Sequence, residues 1–125
     1  MRNETVLVAD DDDDIREIIA FSLRDAGFRV LTAGTGTQAL AAVETHLPDA
    51  VVLDIAMPEL DGFAVCYRLQ QLRATIEIPT IVVSSTTSHH DIDLAYTIGA
   101  DDYLPKPVRP AQLVDRVRSL LDDHR

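Results

Sequence analysis

Asp54 follows the apolar run Ala50-Val51-Val52-Leu53, and Ile55-Ala56-Met57-Pro58 follows it. A short run of this kind, bounded by Pro48 and Pro58, reads as a strand buried on both faces. Its carboxylate then stands where a central strand leaves the sheet, the edge at which open α/β sheets bind ligands. Three other strand-like runs end in the same manner. Thr5-Val6-Leu7-Val8-Ala9 leads into the aspartates Asp10 to Asp14. Ile78 to Val83 leads into Ser84, and Asp102-Tyr103-Leu104 leads through Pro105 to Lys106. A charge run is commonly a solvated face. Asp12 or Asp13 can cap the following helix and favour its dipole. That accounts for one or two aspartates, whereas Asp10 and Asp11 lie too early to cap. Carboxylates gathered at one edge repel and raise one another's pKa, and a divalent cation relieves that strain. Oxygen-only ligands suit Mg²⁺. With Lys106 and Ser84 alongside, the set makes an oxyanion clamp for a phosphoryl group, and Asp54 becomes a nucleophile that forms an acyl phosphate.

The elements must bring these groups to one edge. Ile15, Ile18, Ile19 and Leu23 recur at helical spacing until Gly27. Phe28 to Ala33 is a second strand. Gly34 to Ala39 opens a helix with Leu40 and Val43 inward, ending before Pro48. Asp61 can cap a third helix marked by Phe63, Val65, Cys66, Leu69 and Leu72. Ser88 can cap a fourth, from about Asp91 to Ile98, which Gly99 stops. A fifth begins near Pro110 with Leu113, Val117, Leu120 and Leu121 inward. Strand and helix thus alternate five times, which implies a doubly wound parallel sheet of (βα)5 type with helices on both faces. Right-handed crossovers and a switch point give the flavodoxin-like order 2-1-3-4-5. The count uses residues 1–125 as one domain.

Composition narrows the class. The chain has 125 residues, 46% of them hydrophobic, in keeping with one globular core. Lys plus Arg is 11 and Asp plus Glu is 21, a formal charge of −10. Such a surface repels nucleic acid and anionic membranes. The single cysteine, Cys66, falls on an apolar helix face and reads as core. With no internal disulfide to form, no membrane-length apolar run and no signal-peptide pattern, a soluble cytoplasmic protein is expected. His46, His89, His90 and His124 read as solvent-facing rather than as metal ligands.

Gly34-Thr35-Gly36-Thr37-Gln38-Ala39 also matches G-x-G-x-x-A, with Asp54 about 20 residues on, as a dinucleotide fingerprint would have it. That fingerprint belongs on a first strand followed by two mononucleotide-binding halves. This chain is too short for two, and the reading leaves the aspartates and Lys106 unused.

Taken together, Val6-Leu7-Val8-Ala9-Asp10-Asp11, Leu53-Asp54 with Met57-Pro58 and Asp61-Gly62, Val83-Ser84-Ser85, and Gly99-Ala100-Asp101-Asp102-Tyr103 with Lys106-Pro107 resemble the receiver domain of two-component response regulators over nearly the whole chain. Ala33 to Leu40 matches that family's second loop and helix. The resemblance implies that Asp54 accepts a phosphoryl group from a sensor histidine kinase or phosphotransfer protein. It implies Mg²⁺ ligation by Asp11 and Asp54, by Asp10 through water, and by the Ala56 carbonyl. Lys106 and Ser84 would meet the phosphoryl oxygens. Tyr103 would turn inward and change the face of helix four, strand five and helix five. It also implies a cis Lys106-Pro107 bond.

An output domain or effector protein, and a homodimer through that face, stay open as partners. Asp101, Asp102 and Arg116 match charges that winged-helix regulators pair there. Ile92 and Gln112 replace the other two, so no strong dimer is expected. Asp13, Ser85 and Val108 depart from the family's frequent Pro, Ala or Gly, and Phe, and remove no functional group. Ala56 and Thr86 flank the expected path of a hydrolytic water and orient it poorly, so slow loss of phosphate is expected. Two alternatives remain. One is a haloacid-dehalogenase-like phosphatase with an Asp-x-Asp within Asp10-Asp11-Asp12. The other is a receiver-like binding module that is not phosphorylated.

Overall fold

The apolar runs become five parallel strands because β-branched and aliphatic residues fill both faces of a covered sheet. The computed structural model describes residues 3–57, 60–72, 77–85 and 88–123. Strands β1 (Thr5–Ala9), β2 (Arg29–Ala33), β3 (Ala50–Asp54), β4 (Thr80–Ser84) and β5 (Asp102–Pro105) form one sheet in the order β2-β1-β3-β4-β5. Helices α1 (Asp13–Asp25), α2 (Gly36–His46), α3 (Gly62–Leu72), α4 (His89–Thr97) and α5 (Pro110–Asp123) connect and follow them. Side chains alternate between two cores, as the two-residue strand period requires. Leu7, Val51, Leu53 and Val82 face one side with Val65, Cys66 and Leu69 of α3. Val6, Val8, Val52 and Ile81 face the other with Leu23 of α1 and Val117 of α5.

Some boundaries differ from those expected. Phe28 precedes β2, its N–H held by the Leu23 carbonyl at the end of α1. β4 starts at Thr80 and takes in Ser84. The α4 helix begins two residues early; Ser88 holds its cap position without a side-chain capping bond. Ile18, placed by its spacing among the inward residues of α1, is 56% exposed, because Ile19 and Leu23 already fill the α1 share of the core. Leu40 and Leu120 are only partly buried, while Val43 and Leu121 are buried. Helix α2 ends on Leu47 with φ 47°, in the left-handed region, directly before Pro48. Pro58, Thr86 and His124, to which the sequence reading gave roles, lie outside the described residues.

Candidate functional site

The topology alone brings the chemistry together. β1, β3, β4 and β5 are consecutive neighbours and all run the same way, so their carboxyl ends open at one edge. Leu53 pairs with Ala9, Asp54 with Val83, and Ser84 with Pro105. Asp10 therefore emerges beside Asp54, and Lys106 emerges beside Ser84. Main-chain bonds continue past the strand ends. Asp10 N–H donates to the Ala33 carbonyl at 3.1 Å, and Lys106 N–H to the Ser84 carbonyl at 2.8 Å.

Carboxylate oxygens of Asp10, Asp11 and Asp54 all lie within 4.8 Å of one another. Asp10 and Asp54 are buried and Asp11 is open to solvent. The Lys106 ammonium sits 3.1 Å from Asp10 Oδ2 and 3.4 Å from Asp54 Oδ1. Asp10 Oδ1 accepts the Asp12 N–H at 2.9 Å, and Asp54 Oδ1 accepts the Ala56 N–H at 3.4 Å. Burial pushes the Asp54 carboxyl up to about 6; the Asp10 charge adds to this, while Lys106 and the Ala56 N–H oppose it. For Lys106, burial works against the ammonium. The hydrogen bond to Asp10 and the charges of Asp54 and Asp10 outweigh it, and its pKa is raised. One ammonium shared between two buried carboxylates, with a third carboxylate adjacent, leaves net negative charge in a partly dry place. An all-oxygen set of this kind, with one ligand open to water, fits a hard divalent cation such as Mg²⁺.

The remaining residues singled out in the sequence take their places around this cluster. Ser84 is buried at the end of β4. Tyr103 is half-buried on β5, opposite Val82, and packs against the α3-side core. Asp12 caps α1, accepting from Asp14 and Ile15 N–H, and Asp61 accepts from Ala64 N–H at the start of α3. Asp13 and Asp14 stay exposed in the first turn of α1. Lys106-Pro107 is cis. His46, His89 and His90 are exposed, and Cys66 is buried.

Sequence reasoning overlooked Arg16, whose guanidinium reaches the Asp10 carbonyl. Its one signal was the Asp13–Arg16 spacing on a helix. It also overlooked that Arg116 pairs with Asp102 inside one chain, with the Tyr96 hydroxyl 3.5 Å from the same carboxylate.

Comparison with known proteins agrees with this geometry. Residues 6–118 match the family model of the response regulator receiver domain. The chain is 41% identical over 118 residues to the DNA-binding response regulator MtrA of Mycobacterium tuberculosis H37Rv, covering 94% of this chain and 50% of that protein. It is 36% identical over 119 residues to the alkaline phosphatase synthesis transcriptional regulatory protein PhoP of Bacillus subtilis, covering 95% and 49%. The chain thus spans about half the length of the curated relatives it matches. Among solved structures, the receiver domain of the Francisella response regulator 1452 superposes with a TM-score of 0.92 at 33% identity, over 98% of this chain and 100% of that one.

Proposed function

The chain belongs to the response regulator receiver domain family, and on that premise we propose that Asp54 accepts a phosphoryl group from a histidine kinase or phosphotransfer protein in a Mg²⁺-dependent step. The observation that carries this is the meeting of Asp10, Asp11 and Asp54 within 4.8 Å, with Lys106 on two of them. The family is one of signalling domains, and the only chemistry assigned here is gain and loss of this domain's own phosphoryl group.

Asp54 must be ionised to attack. With its pKa near 6 it is largely a carboxylate at neutral pH, and less stabilised than an exposed one. One Asp54 oxygen bonds to phosphorus as the P–N bond of the donor's phosphohistidine breaks, its electron pair staying on the imidazole nitrogen. A bound Mg²⁺ supplies positive charge against the carboxylates and the phosphoryl oxygens. Asp11, Asp54 and the Ala56 carbonyl are assigned as direct ligands. Asp10 has one oxygen on the Asp12 N–H and the other on Lys106, which supports a role through water. Lys106, 3.4 Å from Asp54 Oδ1, is assigned contact with the transferred phosphoryl oxygens. Ser84 is assigned the hydrogen bond that follows, and Tyr103 the inward turn that alters the α4–β5–α5 face. Ala56 carries no group to orient a water, which supports slow loss of phosphate.

An apolar hollow of about 200 Å³ opens beside Lys106, lined by Ile15, Ile18, Ile19, Pro107 and Val108. It supports docking of the phosphodonor there. The formal charge of −10 supports placing any DNA contact outside this domain. Among the described residues no helix is long and apolar enough to cross a membrane. A cytoplasmic setting is our reading from the lone buried cysteine and the family's chemistry. Neither the phosphatase nor the unphosphorylated module finds support in the comparisons.

The test is incubation with acetyl phosphate, with and without Mg²⁺, followed by intact-mass measurement. One phosphoryl group is expected with Mg²⁺ and none on Asp54→Asn. Equal labelling of Asp54→Asn would overturn the assignment.

A further inference from the structure

Arg16 has no part in the chemistry above, yet its guanidinium sits at the root of the acidic loop. Nη1 donates to the main-chain carbonyl of Asp10 at 2.9 Å, and Nη2 donates to the Asp13 carboxylate at 2.6 Å. The Arg16 side chain is 18% exposed, the Asp13 side chain 83%. A methyl group on Gly34 would come within 3.3 Å of Nη1, so the guanidinium also lies against the turn between β2 and α2. One planar cation therefore spans the end of β1, the first turn of α1 and the start of that turn. Asp10 and Asp11 lie inside the span.

An ordinary helix-surface ion pair explains only half of this. The Asp13–Arg16 bond has the i,i+3 spacing of such pairs, and Asp13 is so exposed that the bond is weak. The bond to the Asp10 carbonyl reaches back six residues to a strand end, is partly buried and carries a full charge on its donor. It fixes the main chain from which the Asp10 side chain leaves and to which Asp11 is joined. We propose that Arg16 is a positioning residue for the cation site, setting the direction in which Asp10 and Asp11 enter the cluster. This rests on reading the cluster as a Mg²⁺ site. The fork matters as well as the charge, because a lysine carries the charge but cannot bond the Asp10 carbonyl while lying flat against the turn at Gly34.

Isothermal titration with Mg²⁺ tests this on the parent, Arg16→Ala, Arg16→Lys and Asp13→Asn, each well below its melting temperature. Residues that orient metal ligands typically contribute 10–100-fold in affinity. Arg16→Ala and Arg16→Lys should each weaken Mg²⁺ by about tenfold or more, and Asp13→Asn by about twofold at most. In acetyl phosphate labelling, the Mg²⁺ needed for half-maximal rate should shift by the same factor. The rate at saturating Mg²⁺ should stay within about threefold, since the nucleophile is untouched. Parent-like Mg²⁺ affinity in folded Arg16→Ala, even with a lowered melting temperature, would make Arg16 structural only and overturn the proposal. Full retention of affinity in Arg16→Lys would overturn it too, and that variant decides the matter if Arg16→Ala does not fold. If the parent binds no Mg²⁺, the site reading itself fails and takes this inference with it.

Discussion

Asp54 is buried beside Asp10, and Lys106 offsets only part of their joint charge. Its carboxyl is pushed up from 3.8 to about 6. In the unfolded chain it ionises near its ordinary value, so the folded state holds this proton more tightly. Folding stability then falls as pH rises through the window from about 4 to 6, and the full penalty is present above it. Without metal at pH 7.5, Asp54→Asn should therefore be more stable than the parent by on the order of 1–3 kcal/mol and melt at a higher temperature. The difference should shrink below pH 4 and narrow on adding Mg²⁺. Thermal unfolding by circular dichroism in EDTA, repeated across pH, measures it. A parent more stable than Asp54→Asn at pH 7.5 in EDTA would contradict the electrostatics described here.

At the scale of elements, two devices hold the loops that carry the site. Asp12 accepts two N–H groups at the start of α1, so Asp12→Ala should cost about 0.5–2 kcal/mol in urea unfolding, with or without Mg²⁺. Gly62 is tighter. A methyl group there would stand 2.5 Å from the Asp54 carbonyl oxygen and 2.7 Å from the Ile55 Cα, both main-chain atoms that cannot step aside. Gly62→Ala should cost about 1–3 kcal/mol and also slow phosphorylation, because the strain falls on Asp54 itself.

How much of this was legible follows from the same residues. The continuous apolar runs of β1, β3 and β4 and the placing of Asp10, Asp54, Ser84 and Lys106 at strand ends needed only pattern and topology. The constraint at Gly62 was not legible, because the close approach of β3 main chain to α3 is a tertiary contact. Gly36, seen as part of a glycine fingerprint, has no room for a side chain, which would collide with the Leu60 carbonyl oxygen. Ile18 has the same helical spacing as its buried neighbours, and only the width of the packed face leaves it outside. Leu47 carries no sequence mark of a left-handed cap, since glycine or asparagine is the usual sign. Arg16 was missed because its main partner is a carbonyl, a group that every residue has.

For the molecule as a whole, the acidic cluster couples folding to cation binding. A ligand that binds only the folded state stabilises it by mass action. At ten times its dissociation constant, Mg²⁺ should add about 1.4 kcal/mol, raising the melting temperature by roughly 3–6 °C for a domain of this size. Asp11→Ala should lose that response, while NaCl at matched ionic strength should not reproduce it in the parent. A parent-like Mg²⁺ response in Asp11→Ala would place the cation elsewhere on this acidic surface.

On the proposed function, one carboxylate among many, Asp54, carries the phosphoryl group. Borohydride reduces an acyl phosphate of aspartate to homoserine and so marks the residue that bore it. Protein labelled with acetyl phosphate and Mg²⁺, reduced in this way and sequenced by tandem mass spectrometry, should show homoserine at position 54 and at no other aspartate. Homoserine at position 10, where the nucleophile of a phosphatase-type Asp-x-Asp would stand, is the result that would overturn this account.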